Sequence, residues 1–122
     1  MHPEFDYNFE IMRLNKLLEQ LHPNDNVVGQ VVFGCTEIED AQTFSNWFFE
    51  HELYKQLKES GFTHMLLHLI DILIAHRRSF FESGYREGVI TFHKSNADIE
   101  WLSDGKAEIL IKKLNERENT IN

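Results

Sequence analysis

The stretch FTHMLLHLIDILIAHRRSFFE, residues 62–82, contains the longest apolar run of the chain and is the best candidate for the centre of the fold. Apolar side chains cover most of its circumference when it is drawn as a helix, whereas the polar ones fall on one narrow strip. A helix of this kind is buried on most sides and meets water along one line. The pattern predicts a central helix from about Thr63 to Glu82, with Arg77 and Arg78 at its negative end and Gly84 beyond it.

The polar strip of this helix has the geometry to bind a metal. His64 and His68 are four residues apart and face the same way, and Asp71 follows one turn on, where a carboxylate can be a third ligand. The strip continues through Arg78, however, which is not a metal ligand, and it lacks the glutamate of the His-Glu-x-x-His motif. We therefore interpret it as the water-facing edge of the helix and expect no cofactor. His76, about 120° away on the helix, is expected to be partly buried.

The segments before the central helix predict two further helices and one strand. Residues 27–35, VVGQVVFGC, are rich in β-branched side chains and bounded by turn residues, which is typical of a strand. Thr36 and Glu39 match a capping box, so a helix is predicted from Thr36 to Gly61. Residues 7–21 carry apolar side chains at helical spacing. This first stripe consists of Tyr7, Ile11, Leu14, Leu18 and Leu21.

The segment after the central helix predicts a hairpin and a last helix. Residues 87–102, EGVITFHKSNADIEWL, read as two short strands around a Lys-Ser-Asn turn. Ser103 or Asp104 can cap a helix that extends toward a frayed end at 119–122. The apolar side of this helix is formed by Ala107, Leu110, Ile111 and Leu114.

The order α-β-α-α-β-β-α predicts one α+β domain over residues 1–122. We expect a short antiparallel sheet of about three strands with helices packed against one face. The single cysteine, Cys35, excludes an internal disulfide and a cysteine-based zinc cluster. No segment reaches the ~20 apolar residues of a membrane span, and the acidic start MHPEFDYNFE is unlike a signal peptide. We therefore expect a cytoplasmic protein with no membrane contact.

The net charge of −8 is unevenly distributed, and the whole excess lies in the first half of the chain. Residues 1–52 contain ten acids against Arg13 and Lys16, whereas residues 53–122 contain ten acids and ten bases. Direct binding of nucleic acid is not expected, because it needs a basic surface that displaces counterions from phosphates. The acidic half instead favours a basic protein partner, reached by electrostatic steering.

Residues 37–57, EIEDAQTFSNWFFEHELYKQL, combine this acidity with more aromatic residues than one helix face can bury. One interpretation is a helix that kinks between Asn46 and His51, and another is a helix sandwiched between layers, which would bury all of them. The third is an exposed anchor at Trp47, with Phe49 or Tyr54, ringed by acids in the manner of an interface hot spot. The candidate partner-binding residues are Glu37, Glu39, Asp40, Trp47, Phe49, Glu50, Glu52 and Tyr54.

Small size, acidity and the lack of a catalytic motif favour a non-enzymatic binding protein. We expect an inhibitor that neutralises a basic protein, such as the immunity protein of a nuclease toxin. One alternative is a nucleic-acid mimic that blocks a DNA-binding defence enzyme. Another, from a different functional class, is a small metal-dependent enzyme that uses His64, His68 and Asp71.

Overall fold

The computed structural model describes residues 8–20, 27–34, 44–80, 87–94, 96–103 and 105–121, with side chains up to Arg117. These residues form four helices and one antiparallel sheet of four strands in the order β2-β1-β3-β4. Strands β1 and β3 are therefore central, and β2 and β4 form the two edges. In chain order the elements are α1 (Phe9–Glu19), β1 (Val27–Gly34), β2 (Phe44–Phe49), α2 (His51–Glu59), α3 (Phe62–Phe80), β3 (Glu87–Lys94), β4 (Asn96–Leu102) and α4 (Lys106–Ile121).

The α+β class is confirmed, but the prediction of one helix from Thr36 to Gly61 and of three strands is wrong. Residues 44–49 form a strand, and a shorter helix begins only at His51. The sequence FSNWFF suits a strand because aromatic side chains fit a pleated, half-buried surface. Alternation also separates its rings, since Trp47 and Phe49 share one face with Ser45 while the remaining residues take the other. The expected capping box of Thr36 and Glu39 lies outside the described residues.

Helix α3 forms the centre of the core, as predicted, and spans 62–80 where the sequence predicted 63–82. Together with α1 and α2 it covers one side of the sheet, here named the three-helix face. The predicted polar strip is also confirmed over its described length, because His64 and His68 are exposed and Asp71 is half-buried. The fully buried residues of α3 are Phe62, Leu66, Ile70, Leu73 and Ile74, which pack on Val31, Phe33, Ile90 and Phe92 of the sheet.

Helix α4 packs on the opposite side of the sheet, here named the α4 face. The prediction that all helices cover one face of the sheet is therefore wrong. Its buried residues Ala107 and Leu114 contact Val32 and Val89 of the two central strands. These strands are apolar on both faces, so both faces require cover. The start of α4 is fixed by Glu87, whose carboxylate accepts hydrogen bonds from the backbone N–H groups of residues 105 (3.1 Å) and 107 (3.0 Å). Asp104, one of the two expected caps, lies outside the described residues.

Two glycines of β1 hold the edge strand β2 in register. Gly29 pairs with Phe49 and Gly34 pairs with Phe44, each directly across the ladder. A Cβ built on either glycine would overlap the ring of its partner, which lies across the β1 backbone. Because a shift of one residue would put Cβ atoms beneath both rings, these pairs select the observed register.

Gly29→Ala is expected to lower the free energy of unfolding by about 1–3 kcal/mol, as for overpacking in a well-packed region. Its Cβ would meet the Phe49 ring and would also come within 2.6 Å of the Phe48 carbonyl oxygen, which belongs to the backbone and cannot rotate away. Gly34→Ala is the matched control, because the three atoms nearest to its added Cβ all belong to the Phe44 side chain, which is 37% exposed, and none belongs to the backbone. Urea denaturation measures both variants, and equal losses would contradict the argument.

Candidate partner-binding surface

A buried ion pair ties the first helix to the central helix. The Arg77 guanidinium donates to both carboxylate oxygens of Glu10, with Nε–Oε2 and Nη2–Oε1 distances of 2.7 and 2.9 Å. Trp101 Nε1 donates to the same carboxylate at 2.9 Å, and Glu10 is only 3% exposed. Glu10, one of the ten acids in residues 1–52, is therefore buried and paired inside the fold, where it cannot attract a partner.

The sequence interpretation missed this pair, although one signal was present. Glu10 lies in helical register with Leu14, Leu17 and Leu18, which are the buried residues of α1. An acid within an apolar stripe is rarely buried unless it is paired. The identity of the pairing base, 67 residues further along the chain, could not be read from local periodicity.

The aromatic candidates Trp47, Phe49 and Tyr54 lie together where β2 leads into α2. Trp47 is 6.1 Å, between ring centroids, from both Phe49 and Tyr54. Phe49 in turn lies 6.0 Å from the buried ring of Phe92, and Trp47 Nε1 donates to Ser45 Oγ at 3.0 Å. All three rings are half-buried. Trp47 and Phe49 pack the edge strand against the core on the three-helix face. The three rings therefore stabilise this surface and are not a fully exposed anchor.

The acidic candidates are divided between described and undescribed parts of the chain. Glu50 and Glu52 are exposed at the start of α2. The Glu50 carboxylate caps this helix, because it accepts hydrogen bonds from the backbone N–H groups of Glu52 (3.3 Å) and Leu53 (3.2 Å). The other three acidic candidates, Glu37, Glu39 and Asp40, precede β2 in the sequence and lie outside the described residues.

The backbone of β2 presents every second residue to the free edge of the sheet. In an antiparallel ladder, only alternate residues exchange hydrogen bonds with a given neighbour. The Phe48 carbonyl oxygen approaches Gly29 of β1 closely, so Phe48 belongs to the set that faces β1. The N–H and C=O groups of the alternate set, Ser45, Trp47 and Phe49, consequently point away from the sheet.

The opposite edge, β4, is covered in part, at Ala97 near its start. The register that turns Phe48 toward β1 also turns the Ala97 amide outward from β4. That amide donates to Asn15 Oδ1 of α1 at 3.0 Å, and Asn15 is held by its own bond to the Ile11 carbonyl at 2.9 Å. Within the part of the chain that the structure describes, no hydrogen bond reaches the outward groups of β2. Among the described residues, β2 is therefore the more open of the two edges.

The histidine strip borders a groove between α1 and α3. His68 lines this groove with the apolar side chains of Leu17 and Leu69 and with two cations, Arg13 and Lys16. Positive charges so close to the imidazole oppose the binding of a metal cation. Among the described residues, no three His, Cys, Asp or Glu side chains lie close enough together to hold a metal ion. His76, expected to be partly buried, is half-buried and stacks on Phe9 with 3.8 Å between ring centroids.

Charge is balanced over the described part of the molecule. Side chains are described for eleven Asp and Glu residues and for eleven Lys and Arg residues. The net charge of −8 therefore falls on the remaining segments, which include six of the ten acids in residues 1–52. No described helix is both long enough and apolar enough to cross a membrane.

Comparison of the chain with protein-family models, with curated proteins and with solved structures finds no match. The geometry and charge of the candidate surface are therefore the basis for assigning a function.

Proposed function

We propose that this chain is a non-enzymatic binding protein that neutralises a basic protein partner, in the manner of an immunity protein bound to a nuclease toxin. The partner surface is the junction of β2 and α2, together with the acid-rich segment that precedes it in the sequence. The observation that carries the proposal is the uneven charge of the sequence: residues 1–52 contain ten acids and two bases, and two of these acids, Glu50 and Glu52, are exposed where β2 leads into α2. Like charges gathered in this way steer an oppositely charged partner toward the molecule.

The roles within this surface follow from the geometry of its side chains. Glu50 and Glu52 supply exposed negative charge at the end of β2. The rings of Trp47, Phe49 and Tyr54 hold that end rigidly against the core, which lowers the entropy lost when a partner binds. Glu37, Glu39 and Asp40 add three acids within the seven residues before the strand.

The two alternative functions receive less support. A nucleic-acid mimic needs rows of acids across an extended surface, whereas the described surface carries as many bases as acids. A metal-dependent enzyme needs converging ligands, and the His68 side chain shares its groove with Arg13 and Lys16. Competition between DNA and the chain for the captured partner separates mimicry from inhibition at another site.

Glu52→Lys is expected to weaken capture of a basic protein from an extract of the native host by the tagged chain. Capture should decrease between about 0.05 M and about 0.3 M salt, because exposed charges are screened over a shorter distance at the higher concentration. Glu108→Lys is the matched control: Glu108 is also an exposed acid in the first turn of a helix, but it lies on α4. Capture of acidic proteins, or equal weakening by both substitutions, would contradict the proposal.

A further inference from the structure

We propose that β2 accepts an extended, lysine- or arginine-rich segment of the partner as a fifth strand of the sheet. This inference rests on the proposed function and specifies how the partner is held. The outward N–H and C=O groups of Ser45, Trp47 and Phe49 would form the ladder.

Over the described part of the chain, the edge of β2 shows none of the common features by which natural sheets discourage pairing. Such edges usually carry a lysine, a proline or a bulge, or are covered by another element. The sequence FSNWFF, residues 44–49, contains neither a lysine nor a proline, and its pairing with β1 runs without interruption over all six residues. The other edge, β4, is covered in part by α1 through the bond between Asn15 and Ala97. Among the described residues, β2 is thus the edge with more backbone groups available for pairing.

The side chains of β2 offer apolar contacts to an added strand on the α4 face. Phe44 is 37% exposed, and Phe48 is half-buried on the α4 face. Alternate residues of a bound strand point to the same face, so its apolar residues can cover these two rings. Basic residues near its end can then reach Glu50 and Glu52.

Charge decides between the candidate occupants of the edge. A second copy of this chain would bring a second net charge of −8 against the first, and such copies repel. A basic segment is attracted by the acids that follow β2. Helix α2 also carries Lys55 and Lys58, but these lie further along the helix than Glu50 and Glu52. The part of α2 next to the strand is therefore acidic.

The first test uses a blocked heptapeptide of alternating lysine and valine as the probe and the full chain labelled for NMR. The expected result is a shift of the backbone amide signals of Ser45, Trp47 and Phe49, and slower hydrogen exchange at these positions. A twin peptide with an N-methyl group on every residue keeps every charge but has no backbone N–H group to donate to β2 from either edge. We expect it to bind about tenfold or more weakly, since it loses several hydrogen bonds each worth ~1 kcal/mol.

The second test changes the edge instead of the probe. Ser45→Pro removes an outward N–H group, and proline is tolerated at the start of an edge strand. It should weaken binding of the lysine–valine peptide by about tenfold, through the lost hydrogen bond and the bulk of the ring. Ser45→Ala is the matched control, because it loses the same contact to Trp47 Nε1 but keeps the N–H group, and it should bind within about twofold of the unchanged chain.

The outcomes separate this inference from the proposed function. Equal binding of the lysine–valine peptide and its N-methyl twin would overturn strand addition while leaving a basic partner in place. Stronger binding of a glutamate–valine peptide than of the lysine–valine peptide would overturn the basic partner and with it the proposed function. A dimer in sedimentation measurements that Ser45→Pro disrupts would assign the edge to a second copy and overturn the inference.

Discussion

Arg77→Met is expected to lower the free energy of unfolding by about 3–5 kcal/mol, the usual cost of removing one partner from a buried ion pair. The Arg77 side chain is 14% exposed and that of Glu10 is 4% exposed. Methionine fills much of the arginine volume, so the loss of unfolding free energy comes mainly from leaving the buried Glu10 carboxylate without its charged partner and less from a cavity. Urea denaturation followed by far-UV circular dichroism gives the free energy.

The large effect follows from how completely Glu10 depends on its partners. Its carboxylate accepts two hydrogen bonds from Arg77 and one from Trp101, and the guanidinium lies 5.6 Å from the centre of the Trp101 indole. Without Arg77, the indole N–H alone would face a buried negative charge. A neutral hydrogen-bond donor does not offset the desolvation of a carboxylate.

Two further variants make the interpretation specific. Arg117→Met applies the same chemical change to an exposed arginine of α4 and should cost under about 0.5 kcal/mol. The double variant Glu10→Leu with Arg77→Met removes both charges and should recover part of the loss, because buried ion pairs replaced by apolar residues are often close to neutral. A loss under about 1 kcal/mol for Arg77→Met alone would show that water reaches the Glu10 carboxylate.

The central helix could be predicted from sequence because its signal is long and local. Nineteen residues of α3 repeat one apolar pattern, and the polar strip through His64 and His68 lies where the periodicity puts it. The prediction of one continuous helix through residues 37–57 is wrong because this segment contains a strand followed by a short helix, each with its own short pattern. Its aromatic residues fall on three sides when drawn as one helix, and that excess was the sign of two elements with different periods. Trp47 and Phe49 follow the period of a strand, whereas Tyr54 and Leu57 belong to the helix after it.

The candidate site could be predicted only in part, because its decisive feature is not local. The acids and rings around β2 are visible in the sequence, and their use by a partner stays a prediction. That β2 forms the edge depends on β1 pairing with β3, and these strands are separated in the chain by β2, α2 and α3. The protection of β4 depends on a bond between Asn15 and Ala97, 82 residues apart. Contacts of this range leave no periodic signal in one sequence.

The same long-range contacts explain why the fold can leave one edge open. The main core cluster lies between the three-helix face of the sheet and α3. Helix α1 is joined to α3 by the Glu10–Arg77 ion pair and to β4 by the hydrogen bond from Ala97 to Asn15. Stability is thus concentrated away from β2, whose rings are only half-buried. A binding strand at the margin of a sheet can be altered with less loss of stability than one at its centre.

Leu73→Ala tests where that stability lies and is expected to lower the free energy of unfolding by ~2–5 kcal/mol, because it leaves a cavity and loses transfer energy. Leu73 is 0% exposed within the main core cluster. Its neighbour Ile72 is 37% exposed, and Ile72→Ala deletes the same number of carbon atoms from this more exposed position. That control should cost less, about 1–2 kcal/mol, since more than a third of Ile72 stays in contact with water in the folded protein.

Urea denaturation can be followed by the fluorescence of Trp47 and Trp101. These residues lie on the two edge strands, β2 and β4, and both indoles pack against the main core cluster, so one experiment reports on both edges of the sheet. His64→Ala, on the exposed strip, should change the free energy of unfolding by under about 0.5 kcal/mol. Comparable losses for Leu73→Ala and Ile72→Ala would mean that α3 is rotated about its axis relative to the sheet. The exposed strip of His64 and His68 would then turn toward the core, and the packing of α3 on the sheet described above would be wrong.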